Sequence, residues 1–168
     1  MKEMHRSPSN VLFVSRNNAA RSLLAEACLR HLGKNKFHAF SCGVPAKVAE
    51  APSGWTLLAL QTAGIATEGL TCKGWTEFTR SGAPRFDFVI ALDAETLAEH
   101  PRWNGQPETA LWNYPLIAPS KRNETNLGVA SIQMLVSLRL RIELLVSLHS
   151  RAQIRSDLRH DLRDLAHL

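Results

Sequence analysis

The stretch Val11-Leu12-Phe13-Val14-Ser15-Arg16-Asn17-Asn18-Ala19-Ala20-Arg21-Ser22-Leu23-Leu24 decides the fold. Its first four residues are apolar and end abruptly at a polar loop, Ser15 to Ala20, which reads as a strand leaving the core. Leu23 and Ala27, then Leu24, Cys28 and Leu32, recur at helical spacing up to a stop at Gly33. A strand that ends in a tight loop and runs straight into a helix turns successive backbone N–H groups inward, and the helix N-terminus adds partial positive charge. Such a loop is an anion seat. Arg21 offers a planar fork suited to a tetrahedral oxyanion: phosphate, arsenate or sulfate. Asn18 is suited either to a left-handed backbone conformation or to bracing the loop. The candidate anion-binding residues are therefore Arg16, Asn17, Asn18, Ala19, Ala20, Arg21 and Ser22, with Ser15 at the head of the loop.

Outward from this stretch, Phe37 to Ser41 reads as a second strand ending at Cys42-Gly43, and Pro52-Ser53 opens a helix through about Ala63. Phe86 to Leu92 is a further strand, a short helix follows near Glu95 to Glu99, and Thr109 to Trp112 is a weaker fourth strand. Strands alternating with helices at these distances imply a parallel sheet, because each parallel connection needs a crossover. The expected fold is α/β: a three-layer sandwich of four parallel strands with helices on both faces. Such sheets bind ligands at the carboxyl ends of their strands, where Ser15 to Arg21 lies. Beyond Asn126 the chain is helical, with Ile132, Val136, Leu140, Leu144 and Leu148 as one ladder and Leu135, Leu138, Ile142 and Leu145 widening it. A second amphipathic stretch carries Ile154, Leu158, Leu162 and Leu165. Both read first as core packing; the breadth of the first also fits a surface for self-association or a protein partner.

With 168 residues, 45% of them apolar, the chain is sized for one domain, 1–168, with a core over about 10–148 and an additional C-terminal helical segment over 150–168. No long apolar run or signal region stands out, and three cysteines without CxxC spacing fit a reducing compartment, so the expectation is a cytoplasmic protein without a membrane segment. The net charge of +5 comes from basic residues interleaved with acids, which argues against a nucleic-acid partner. His38 and His100 have no spacing partner, and neither a metal nor a cofactor is expected.

The loop and its setting resemble the low-molecular-weight protein-tyrosine-phosphatase and thioredoxin-coupled arsenate reductase family, whose pattern is V-x-F-V-C-x-x-N-x-x-R-S. Phe40-Ser41-Cys42-Gly43 is similar to that family's S-A-G, Ala63-Gly64-Ile65 to its A-G-I, and Phe86-Asp87-Phe88-Val89-Ile90 to its F-D-x-V-I, with Asp93 following as an acid commonly does there. The resemblance covers about residues 10–148 and implies a covalent phospho-enzyme mechanism on the first loop residue. Here that residue is Ser15, where the family has a cysteine thiolate, and a serine hydroxyl needs a base that the loop does not supply. The family's general acid, an Asp in a D-P dipeptide, falls at Leu116 of Trp112-Asn113-Tyr114-Pro115-Leu116-Ile117-Ala118. The reductases' two relay cysteines have no counterpart in Leu92 to Pro101. Trp112 and Tyr114 fit either a pocket rim or packing. The resemblance thus implies oxyanion binding at Ser15 and Arg21 without turnover, a pseudoenzyme. The alternatives are an active phosphatase carrying an engineered Cys-to-Ser change, which leaves Leu116 unexplained, and an interaction module working through the C-terminal helices.

Overall fold

The computed structural model describes residues 8–117, 126–151 and 162–167. Four strands, β1 (Ser9–Val14), β2 (Phe37–Cys42), β3 (Phe88–Ala91) and β4 (Glu108–Leu111), form one parallel sheet in the order β2-β1-β3-β4. The helices are α1 (Arg21–Gly33), α2 (Gly54–Thr62), α3 (Ala94–Glu99) and α4 (Leu127–Arg151). β1 is central. Val11 stands opposite Ala39 on one side and Phe88 on the other, so the loop after Val14 opens at the carboxyl edge between two neighbours.

β1 starts earlier than its apolar run suggests. Ser9 and Asn10 pair with Phe37 and His38, and Asn10 is fixed further by its amide on Asp87 Oδ2 (2.8 Å) and its side chain on the Arg85 carbonyl (2.8 Å). β4 sits one residue earlier than expected, although Trp112 N–H still donates to the Ala91 carbonyl at 2.8 Å.

Alternation along the strands sorts side chains to two faces. Val11, Phe13, Phe88, Ile90 and Ala110 face the larger core, built with α1, α2 and α4 and closed by Leu162 and Leu165. Leu12, Val14, Cys42 and Val89 face a smaller one, covered by Phe78, Phe86 and Trp103 with Phe40 and Trp75 at its margin. Phe78 and Phe86 meet edge to face, as do Phe86 and Trp103. The layers are therefore unequal, one of long helices and one plated by aromatic side chains, with Trp75 and Phe78 supplied by a single 3-10 turn.

The C-terminal helix corrects one expectation. Leu135, Leu138, Ile142 and Leu145 are buried, but Ile132, Val136 and Leu140 of the ladder are exposed, as is Val129 (Val136 64%). The apolar surface of α4 is wider than the stripe one helix can bury against α1, α2 and the sheet. Ile154 and Leu158 lie outside the described residues, as do Ala118 and Glu124. Among the described residues no helix is long and apolar enough to cross a membrane.

Leu138→Ala is expected to cost about 2–5 kcal/mol of stability. Val136→Ser should stay within about 0.5 kcal/mol of the parent. Urea unfolding of the two variants, read as ΔG at constant slope, distinguishes the inner and outer faces of α4.

Candidate active site: the loop after the first strand

β1 delivers the chain to Ser15, whose N–H donates to the Cys42 carbonyl (3.2 Å). From there the loop is held by its carbonyls. That of Arg16 accepts from Val44 N–H (3.0 Å), that of Asn17 from Ala49 N–H (3.0 Å), and that of Ala19 from Ser53 N–H (3.0 Å) and Thr56 Oγ1–H (3.1 Å). In a planar trans peptide the carbonyl and the following N–H point opposite ways. Carbonyls drawn outward onto the β2–α2 connection therefore turn the N–H groups of Asn17, Asn18 and Ala20 inward. Ala20 at the N-cap of α1 has no side-chain acceptor, so the first amides of the helix open on the same concavity.

Asn18 serves both roles open to it. It is left-handed, φ 52°, and fully buried. Its Nδ2 donates to Ser22 Oγ (2.7 Å) and Ser41 Oγ (3.0 Å), and its Oδ1 accepts from Lys73 N–H (2.9 Å). Ser41 Oγ–H in turn donates to Glu26 Oε1 (2.6 Å), whose carboxylate also holds Arg30. Ser15 Oγ lies 2.6 Å from Ser22 Oγ within this buried network. Gly43 is required by close approach, because a Cβ there would come within 2.9 Å of the Arg16 carbonyl oxygen.

Arg21 is 4% exposed, with Nη1 donating to the Tyr114 carbonyl (3.0 Å) and Nη2 3.3 Å from Asp93 Oδ2. Burial pulls its pKa below the ordinary arginine value, Asp93 opposes that, and the nearby Arg16 adds to the lowering. The guanidinium still keeps its charge at neutral pH. One expected donor is otherwise engaged: Arg16 N–H is turned onto Asp93 Oδ2 (3.2 Å), because a fixed carboxylate is a stronger acceptor than solvent.

Over the loop lies a cavity of about 240 Å³, lined by Ser15, Asn17, Ala19, Ala20 and Arg21 below and by Ala49, Ala51, Ser53, Trp55, Leu116 and Ile117 around it. The aromatic rim is not where the sequence suggested. Trp112 is fully buried against Phe13 (6.2 Å between centroids), with its Nε1–H on the Leu162 carbonyl at 3.4 Å. Tyr114 packs under α4, with its hydroxyl 2.9 Å from Ser137 Oγ and the Arg141 guanidinium 4.9 Å above its ring. The chain after β4 crosses beneath α4, and this turns both rings into the core. Trp55 lines the cavity instead. Its place was foreshadowed only by Pro52-Ser53-Gly54 just ahead of it, since Ser53 docks on Ala19. Leu116 lines the cavity and is half exposed.

No thiol reaches this site. Cys28, Cys42 and Cys72 are unpaired and line no part of the cavity. Burial pushes the Cys28 thiol up to about 12 and that of Cys42 higher still, with charged neighbours as lesser influences. Desolvation raises Cys72 as well. His38 and His100 are exposed, and His100 meets Trp103 Nε1 at 3.2 Å. Among the described residues no group of three or more acidic, His or Cys side chains is placed to hold a metal ion.

Sheet order, loop and crossover together define an α/β protein with a phosphatase-type strand–loop–helix at its active edge. The family model for low molecular weight phosphotyrosine protein phosphatase matches residues 10–111, more than half of the chain, and the chain belongs to that family. None of the curated proteins matches it by sequence. A thioredoxin-dependent arsenate reductase of Corynebacterium glutamicum superposes with a TM-score of 0.60 at 20% identity, over 89% of this chain and 66% of that one. An arsenate reductase in its phosphate-binding state gives 0.64 at 21% identity, over 83% and 98%. The tyrosine phosphatase Wzb of Escherichia coli K30, in complex with sulphate, gives 0.58 at 18% identity, over 79% and 94%. At these identities the likeness is one of fold.

Gly43→Ala is expected to lower stability by about 1–3 kcal/mol by forcing the Arg16 carbonyl aside. Thermal melts beside the conservative control Gly54→Ala, where an added Cβ meets nothing within 4 Å, measure it. Native-state alkylation should modify Cys72 well before Cys28 or Cys42, read by mass after timed quenching.

Proposed function

We propose that this chain binds a tetrahedral oxyanion (phosphate, arsenate or sulfate) in the Ser15 to Ser22 loop and does not turn it over. The observation that carries the reading is the outward clamping of the Arg16, Asn17 and Ala19 carbonyls, which presents an array of N–H groups beside the Arg21 guanidinium. The donors proposed for the anion are the amides of Asn17 to Ser22 with Arg21, and Ser15 Oγ–H is a further neutral donor at the floor. Loss of turnover follows from chemistry. Ser15 Oγ has Ser22 as its partner rather than a base, and at the mouth Leu116 has no proton to give a leaving oxygen. Arsenate reduction needs a thiol relay, and the thiols present are raised by burial and line no part of the cavity. An engineered change at position 15 leaves Leu116 without an account.

Sulfate titration followed by amide NMR should give saturable shifts at Asn17 to Ser22 that vanish in Arg21→Ala. Unchanged spectra at saturating sulfate would remove the reading. Ser15→Cys should create a thiolate below the ordinary cysteine value of about 8.5, because the same N–H groups favour the anion. Its iodoacetamide rate should therefore level off at a lower pH than that of Cys72. Ser15→Cys should also release p-nitrophenol slowly from p-nitrophenyl phosphate, and adding Leu116→Asp should speed alkyl phosphates by about a hundredfold to ten-thousandfold. Brisk hydrolysis by the Ser15 protein itself would overturn the inactive reading.

A second reading, self-association through α4, is favoured by one observation: Val129, Ile132, Val136 and Leu140 form an exposed row. In a two-fold antiparallel pairing Val136 would meet its copy and Ile132 would meet Leu140. Sedimentation over a range of concentrations tests it, and a strict monomer removes it.

A further inference from the structure

Asp93 lies two residues past the end of β3, at the N-cap of α3, and both of its carboxylate oxygens are engaged. Oδ1 accepts from Thr96 N–H at 2.7 Å, the capping bond that opens α3. Oδ2 accepts from Arg16 N–H at 3.2 Å and stands 3.3 Å from Arg21 Nη2, with the side chain only 16% exposed. The loop that would receive an anion already holds one of the chain's own.

That carboxylate is fixed in place. Leu92 N–H donates to the Val14 carbonyl (2.8 Å), tying the residue before Asp93 to the base of the loop, and the cap bond holds it from the other side. Arg21 is held as firmly, since the Tyr114 carbonyl on its other prong belongs to a residue whose N–H is bonded to Leu92 (2.9 Å). A guanidinium has five N–H donors. A ligand would therefore share Arg21 with Asp93 rather than take it over.

The charges at the loop then nearly cancel. Arg21 and Asp93 form a pair of opposite unit charges, and Arg16, the other basic residue of the loop, reaches outward to Glu95 at 3.4 Å on the exposed rim, where solvent screens it. What attracts an anion is the array of amide dipoles and the helix end, worth about half an elementary charge. Dipoles of this size favour one negative charge on a ligand over two, and Asp93 Oδ2 stands 3.3 Å from the guanidinium that the ligand would share.

We propose that Asp93 is a specificity-determining residue of the loop, a built-in carboxylate that shares Arg21 with the ligand and makes the seat prefer singly charged tetrahedral oxyanions over doubly charged ones. This rests on the oxyanion reading above. At the separations such a loop allows, repulsion between like charges amounts to roughly tenfold to a hundredfold in affinity per unit charge.

The experiment is calorimetric titration of the full chain with sulfate and with methyl sulfate, which share a tetrahedral head and differ by one charge. The proteins are the parent, Asp93→Asn and Asp93→Ser; Asn and Ser both keep an acceptor for Thr96 N–H, so the start of α3 is preserved and either variant suffices if the other fails to fold. Removing the carboxylate should raise methyl sulfate affinity about tenfold and sulfate affinity about a hundredfold, shifting the preference toward the dianion about tenfold. A merely structural role for Asp93 would move both anions alike. Equal gains, or none, overturn the charge selection and leave the seat standing, whereas the absence of saturable binding in every protein overturns the seat and this inference together.

Discussion

The shape of the loop is imposed from outside it. Val44, Ala49 and Ser53, on the connection between β2 and α2, each donate a backbone N–H to a loop carbonyl, and the rigid peptide unit converts each of these bonds into an inward N–H a residue later. The segment from Gly43 to Thr56 is thus the scaffold, and the loop is what it holds. Two conformational requirements follow: Asn18 must take a left-handed backbone, and Gly43 must lack a side chain where the two segments touch. Both are residue types able to meet those requirements.

Beneath the loop, polarity is buried and almost completely satisfied. Ser15, Asn18, Ser22, Ser41 and Glu26 form a continuous hydrogen-bonded set, closed by Lys73 and Arg30 at its edges. Such a network fixes geometry without providing a base, since the amide of Asn18 only donates where it meets the two hydroxyls. The same burial that keeps the network rigid raises the thiols of Cys28 and Cys42. The fold therefore supports electrostatic recognition at the loop, and it keeps nucleophilic sulfur away from it.

Much of this was legible in the sequence because its signals are local. A short apolar run, a polar loop and a helical period fix β1, the loop and α1, and the later family-like segments place β2 and β3 in order. What was not legible depends on long-range direction. The Trp112 and Tyr114 rings are close in sequence to the active edge, but their burial is decided by α4 passing over them. Trp55 reaches the cavity only because Ser53 docks on Ala19. The turning of Arg16 N–H onto Asp93 is likewise tertiary, since 77 positions separate the partners. On α4, period alone marks apolar positions and cannot say which of two adjoining rows meets the core, so the Ile132, Val136 and Leu140 row read as interior.

The sheet order also shapes how this chain emerges from the ribosome. β1 is central, so β2, lying next in the chain, can join it at once with α1 as the crossover, whereas its other neighbour, β3, is synthesised some fifty residues after β2. α1 and α2 both pack against α4, which is translated last among the long helices. At about 5–20 residues per second, the apolar sides of α1 and α2 wait several seconds for their cover. For that interval the β1–α1–β2 segment has been made without the helix that covers its apolar flank in the finished fold.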